Sequence, residues 1–383
     1  MFIMVSVYLP VFSGANQNLT DVPLIIVNED SGHMGDAILL NVIEKQNGNS
    51  FNWQITNNKQ NALNDLKNDK AFGALMIPTN YSKDLSQLHE ILLAGKDNGE
   101  AATLEILLNE GVGQSAYMIA SHTLQTVASV TSEAISKNLK NELNEKGITL
   151  SPNNALLLNT PVNFIVKDVL GLPVNLNKGM TPFIMTLIAS ISGLMGANMI
   201  HAYLMRGNGI LKKNGSSLSE SKILTAELIF GAILSLCVSV ILQLSIFGFF
   251  GSSHATSLWI IFLFTFFCCT TMFFLFKSLA LLFGGWGMLV MFPVNIMGIF
   301  SSGGAIPLST LPIVHRIFSS VLPTRYMVDG MRALLYYNGR MQAGLGTALW
   351  VISIYFIVTL AIVIAMIRKK NKRQGDNYSK IGG

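Results

Sequence analysis

The sequence predicts a polytopic α-helical membrane protein of about six spans, the first incomplete, with an inserted extracytoplasmic α/β domain containing a long amphipathic helix. Three observations predict it. Half of the 383 residues are apolar and only 12% are charged, and the mean hydropathy is +0.47, a balance outside that of soluble domains. Apolar runs of roughly 20 residues, the length a helix needs to cross about 30 Å of hydrocarbon, recur in the second half. Between the first apolar fragment and these runs lies a polar stretch long enough to bury its own core.

The opening MFIMVSVYLPVF (1–12) is apolar, too short to cross, and lacks both a basic flank and a small-residue cleavage site, so it reads as the outer half of a first span. Residues 13–181 form the inserted domain. There VPLIIVN (22–28), FNWQIT (51–56) and AFGALMI (71–77) read as strands, Asp30 or Ser31 can cap a helix over 33–46, and 59–69 is helical. A small α/β sandwich is expected. After ATLEILL (102–108), Ala120, Leu124, Val127, Thr131, Ile135, Leu139 and Leu143 recur every three or four residues and stop at Gly147. A helix of about 34 residues, roughly 50 Å long, follows from that spacing. It is expected to project beyond the lipid headgroups and to need a partner for its apolar stripe, from the same domain or another chain.

The membrane domain, 182–367, offers full spans at 182–204, 223–250, 258–281, 287–306 and 345–367, with FGGWG (283–287) separating the third from the fourth. A basic tail occupies 368–383. Residues 205–222 carry Arg206, Lys212, Lys213 and Lys222, and the tail adds RKKNKR, which places both on the cytoplasmic side. The loop GSSHATS (251–257) has no Lys or Arg and goes outside; 301–344, also placed outside, carries four arginines, so the rule holds on balance. Basic residues flanking spans account for the net charge of +5, and no nucleic-acid partner is expected.

Signatures of catalysis are missing: there is no GxxxxGK[ST], HExxH, GxSxG or CxxC, the six histidines are dispersed, and all three cysteines lie in apolar spans. No enzyme, metal or cofactor is expected. Glu227 is the one acid inside a span, which makes it a candidate intramembrane polar site. The alternative is an acid open to water or paired with nearby Lys222. With His201 it is also the nearest approach to an intramembrane enzyme. Ala189, Gly193 and Ala197, with Ser192 and Gly196, let two helices approach closely, within the chain or between subunits.

Between the last two spans, Gly303, Gly304 and Pro307 end a helix. LPIVHRIFSSVLP (311–323) can touch the membrane without crossing it. In the next helix Arg325, Asp329 and Arg332 fall at i, i+4 and i+7 and form one charged stripe beside Met327, Val328, Met331, Leu334 and Leu335. An outer interfacial helix in a re-entrant hairpin is expected.

The segment LALLFGGWGMLVMFPVNIMGIFSSGGAIPLSTLPIVHRIFSSVLPTRYMVDGMR (279–332) resembles the C-terminal membrane domain of the bacterial YhgE/Pip (phage infection protein) family, itself similar to type-2 ABC exporter permeases. VPLIIVNEDSG (22–32), ALMIPTNYSKDL (74–85) and NKGMTPFIMTLIASISGLMG (177–196) match in the same order. The resemblance implies a multi-pass protein of the bacterial cytoplasmic membrane with six helices, both termini cytoplasmic, and an outer domain between the first two spans. It also implies a homo- or heterodimer working with a separate ABC ATPase. In such permeases the first cytoplasmic loop touches the ATPase, which assigns that role to Arg206, Lys212, Lys213 and Lys222; plain anchoring to membrane lipid explains these lysines equally well. The outer domain is shorter than in long phage infection proteins. The expected function is the permease subunit of an exporter of an amphipathic or lipid-like molecule. The alternative is a non-transporting envelope scaffold or receptor, of the phage infection or secretion accessory type, that uses the long exposed helix.

Overall fold

The computed structural model describes residues 19–44, 50–96, 99–171 and 177–381. The partial span over 1–12 lies outside the described residues. Two units separate, an α/β unit up to Gly171 and a helical unit from Leu172 onward.

In the α/β unit five strands form one sheet in the order β2-β1-β3-β4-β5: β1 (Val22–Asn28), β2 (Phe51–Thr56), β3 (Gly73–Ile77), β4 (Ala102–Leu108) and β5 (Val162–Asp168). β1 is parallel to both β2 and β3, β3 is antiparallel to β4, and β4 is parallel to β5. The uninterrupted apolar run of β1 follows from its central place: Leu24 and Ile26 enter one core layer, Ile25 and Val27 the other. Helices α1 (His33–Glu44), α3 (Tyr81–Leu93), α4 (Gln114–Glu145) and α5 (Pro152–Asn159) contribute to the first layer, and α2 (Lys59–Lys67) to the second. Asn58 starts α2 by accepting from the Gln60 and Asn61 amides, and Ser151 does the same for α5 at Asn154.

The long helix α4 has 32 residues, about 48 Å at 1.5 Å each. It does not project free of its domain. Its Ala116, Ala120, Leu124 and Ala128 lie buried on the sheet, where small side chains and Gly73 let helix and sheet approach; a Cβ at Gly73 would come within 2.8 Å of Leu124 Cδ1. The apolar stripe therefore has its partner within its own domain. Val127, Thr131 and Ile135, counted in the stripe from sequence, stand at its margin and line a groove of about 390 Å³ against α1 and β2.

In the helical unit α6 (Thr181–Lys213), α7 (Glu220–Gln243, prolonged by a wider turn to Phe249), α8 (Leu258–Phe283), α9 (Gly287–Phe300), α10 (Ile313–Val321), α11 (Pro323–Tyr336) and α12 (Leu345–Ile381) follow one another. Among the described residues four stretches are long and apolar enough to cross a membrane: 181–213, 220–249, 258–300 and 345–372. The third, 43 residues long, is not one rod. Gly284, at φ +52°, breaks it, and a Cβ on Gly287 would lie 3.1 Å from Ala280 Cα, so the chain folds back there. The same level of α6 is touched twice, by Met272 of α8 against Gly193 and by Asn295 of α9 through Ser190. α9 therefore returns alongside α8. It is only 14 residues long, and the span expected over 287–306 ends as helix at Phe300, because Gly303, at φ +74°, and Pro307 take the chain out of helical geometry.

Of the two short helices after α9, the second departs from what the sequence suggested. α11 was expected at the interface with its charged stripe outward; instead Met327, Val328, Met331, Leu334 and Leu335 are buried, and so is Arg332. Asp329 Oδ2 lies 3.6 Å from Arg325 Nε and its Oδ1 3.7 Å from Arg332 Nη1, while Arg332 Nη2 donates to the Gly303 carbonyl at 3.3 Å. Arg332 turns into the protein and ties α11 to the turn after α9, while Arg325 and Asp329 stay partly exposed. The surface helix is α10, which exposes Ile313, Val314, Ile317 and Val321 and buries His315 and Ser319.

Candidate functional site: a buried charge cluster beside an apolar groove

Where α6, α7 and α8 meet, small residues let the backbones close on one another. A Cβ on Gly193 would come within 2.8 Å of the Met272 backbone, and one on Gly231 within 2.1 Å of the Phe273 ring. The small-residue pattern of α6 thus serves packing inside the chain. This brings three polar side chains together one or two turns nearer the basic end of the bundle.

Glu227, on α7, is 2% exposed and forms an ion pair through Oε2 with the equally buried Lys277 of α8. Its Oε1 lies 2.5 Å from His201 Nδ1 of α6, whose side chain remains 53% exposed. Glu227 is therefore neither open to water nor paired with Lys222, which is exposed. The sequence singled out Glu227 and His201, while Lys277, which stands near the end of the third full span, 258–281, was not singled out. A buried pair of opposite charges keeps two ions satisfied in a low-dielectric bundle, and His201 gives it one arm at the bundle's surface. Among the described residues no three His, Cys, Asp or Glu converge as metal ligands.

Beside the cluster runs a groove of about 550 Å³ between α6 and α7. Met195, Met199, Tyr203, Phe230, Ile233 and Cys237 line it, with Gly196 at its floor under Leu234. Its lining is almost wholly apolar, and Tyr203 and Phe230 bring its end to within one turn of His201 and Glu227.

Past the cluster, residues 205–222 form a helical hairpin rather than a loop. α6 runs on to Lys213, Gly215 turns at φ +82°, and α7 starts at Glu220 under the Ser219 cap, whose Oγ accepts from the Lys222 amide at 3.3 Å. Asn208 Oδ1 accepts the Leu218 amide at 2.7 Å, bracing the turn. Arg206, Lys212, Lys213 and Lys222 are all exposed, with Ile210, Leu211 and Leu218 exposed among them. At the same end Lys370 of α12 pairs with Glu220 at 3.0 Å. The structure thus brings Glu227 together with His201 and Lys277, sets the four basic residues on the hairpin, and holds Arg325, Asp329 and Arg332 apart from both, on α11.

Comparison with known proteins places this arrangement. The sequence is 25% identical over 161 residues to the uncharacterized protein YhgE of Bacillus subtilis (strain 168), a match that takes in 42% of this chain and 20% of that protein, so the chain spans about a fifth of its relative. A solved domain described as coming from an ABC type-2 transporter of Thermotoga maritima MSB8 aligns with 38% of this chain and 84% of its own, at 21% identity and a TM-score of 0.26, too low to argue from. The family described as ABC-2 family transporter protein matches residues 1–365. By that match across nearly its whole length, the chain belongs to the ABC-2 transporter family.

Proposed function

We propose that the chain is the permease subunit of an ABC-type exporter that moves an amphipathic or lipid-like molecule across the bacterial cytoplasmic membrane, powered by a separate ATPase docked on the hairpin 205–222. The observation that carries the reading is the apolar groove between α6 and α7, whose lining residues Tyr203 and Phe230 stand within one turn of the His201, Glu227 and Lys277 cluster. An apolar tail fits the groove, and a polar head group fits its end. The braced hairpin suits docking, since exposed apolar residues among lysines can enter a groove on a partner. The alternative, a scaffold or receptor, would have to use the exposed outer face of α4, since its inner face packs on its own sheet.

Flux tests it. In vesicles holding the chain and the co-purified ATPase, ATP should move a fluorescent short-chain phospholipid to the leaflet opposite the ATPase. Cys237→Trp, which fills the groove from an exposed position, should cut that rate by about tenfold, equivalent to about 1.4 kcal/mol. Unchanged flux in this variant would remove the groove from the pathway.

A further inference from the structure

β5 is the outer strand of the sheet, and natural edges of this kind are short, charged or covered. Among the described residues this one is neither short nor covered, and its two charges, Lys167 and Asp168, lie at its C-terminal end. It runs for seven residues, VNFIVKD, and Phe164, Ile165 and Val166 are 36%, 49% and 42% exposed. Next to it a hollow of about 670 Å³, lined by Ser129, Glu133, Asn159, Phe164 and Ile165, leaves the α4 side of the strand open.

The backbone says which groups are free. Ala102 donates to the Pro161 carbonyl and Val169 to the Leu108 carbonyl, and the parallel ladder between them places the odd-numbered residues of β5 toward β4. The amide and carbonyl groups of Phe164 and Val166 therefore point away from the sheet. We propose that they pair with the same groups of a second copy, β5 against β5 antiparallel, so that one sheet continues from copy to copy.

In one register β5 pairs with itself along all seven residues. Centred on Ile165, Phe164 lies opposite the second copy's Val166, Ile165 opposite Ile165, Asn163 opposite Lys167 and Val162 opposite Asp168. No like charges face each other, and Phe164 and Val166 of both copies gather on one face, the aromatic and β-branched combination that stabilises cross-strand pairs. In this register Phe164 and Val166 exchange both hydrogen bonds, which is what their outward direction requires, and Ile165 meets Ile165 as a non-hydrogen-bonded pair with Cα atoms about 4.5 Å apart. Registers shifted by one residue would set outward groups against inward ones. Lys167, the one cation of the strand, is already held by Glu105 at 2.7 Å on the α2 side. Two copies anchored in one membrane meet at high effective concentration, so a short strand interface suffices. The inference stands apart from the transport reading, since it requires neither ATPase nor cargo.

The test uses the full chain in its native membrane with Cys237→Ser as background. Ile165→Cys, exposed at an edge and so without cost to folding, brings two sulfurs within disulfide reach. Mild oxidation should give a product of twice the chain mass, more than about tenfold above that from Leu156→Cys, a site 69% exposed on α5. Co-expressed Asn163→Cys and Lys167→Cys chains should cross-link with each other and not with themselves. An Ile165→Cys yield no higher than that of Leu156→Cys, or a cross-link to a protein of other mass, would overturn the proposal.

Discussion

At the scale of residues, Glu227 and Lys277 stand or fall together. Removing one leaves the other charged and unpartnered in the bundle, so Glu227→Gln should lower stability by about 3 kcal/mol, whereas Glu227→Leu with Lys277→Leu should cost much less. Denaturation in mixed micelles measures the difference. Glu105 carries a pH signature in the α/β unit. Hydrogen bonding to Lys167, reinforced by Lys59, holds its carboxyl below the ordinary 4.5. The sign is that of a depressed acid: its stabilisation is present above pH 4.5 and is lost as pH falls through the lower folded value. Glu105→Gln should therefore destabilise at pH 7 by no more than about 1 kcal/mol, the salt bridges being partly exposed, and should match wild type in strong acid. Tyr81 is buried with its hydroxyl unpaired, and burial with the nearby Asp30 pushes that hydroxyl's pKa up. Tyr81→Phe should leave stability unchanged or raise it, as thermal unfolding would show. Of these residues Glu227 was legible in the sequence, because an acid in an apolar run announces itself. Its partner was not, because which faces of three helices meet depends on their rotation.

At the scale of elements, strands β1 to β3 were legible from apolar runs bounded by polar turns, β4 was noted as ATLEILL without being assigned, and β5 was missed although VNFIVKD has the composition of a strand. It stands alone between a short helix and a membrane span, with no hairpin turn to mark it. α3 was also missed, and its buried Tyr81, Leu85, Leu88 and Leu92 carried a helical period that could have found it. The error at α11 has another cause. Helical spacing tells which residues share a face, and it is silent on whether that face meets water or protein; Arg332, Asp329 and Gly303 satisfy one another inside the bundle. Introduced cysteines test the placement of the two short helices in a background of Cys237→Ser. One at Val314 of α10, exposed, should react with an apolar maleimide, and one at Met327 of α11, wholly buried, should stay unmodified until the protein unfolds.

At the scale of the whole molecule, the account joins a family of transporters to one surface, the braced hairpin between α6 and α7. Its basic residues were legible as a cluster, but its rigidity was not, since the sequence shows charges and a glycine where the structure shows helix, cap and brace. In the proposed function a separate ATPase supplies the energy, and the sequence holds no phosphate-binding GxxxxGK[ST] loop. The most direct measurement is therefore capture of the tagged chain from mild detergent, wild type beside a variant lacking Lys212 to Ser219, followed by assay of ATP hydrolysis in the eluate. The account predicts a nucleotide-hydrolysing subunit with the wild type and none with the deletion. Equal recovery of that subunit with both proteins, or its absence from both across several detergents, would contradict it.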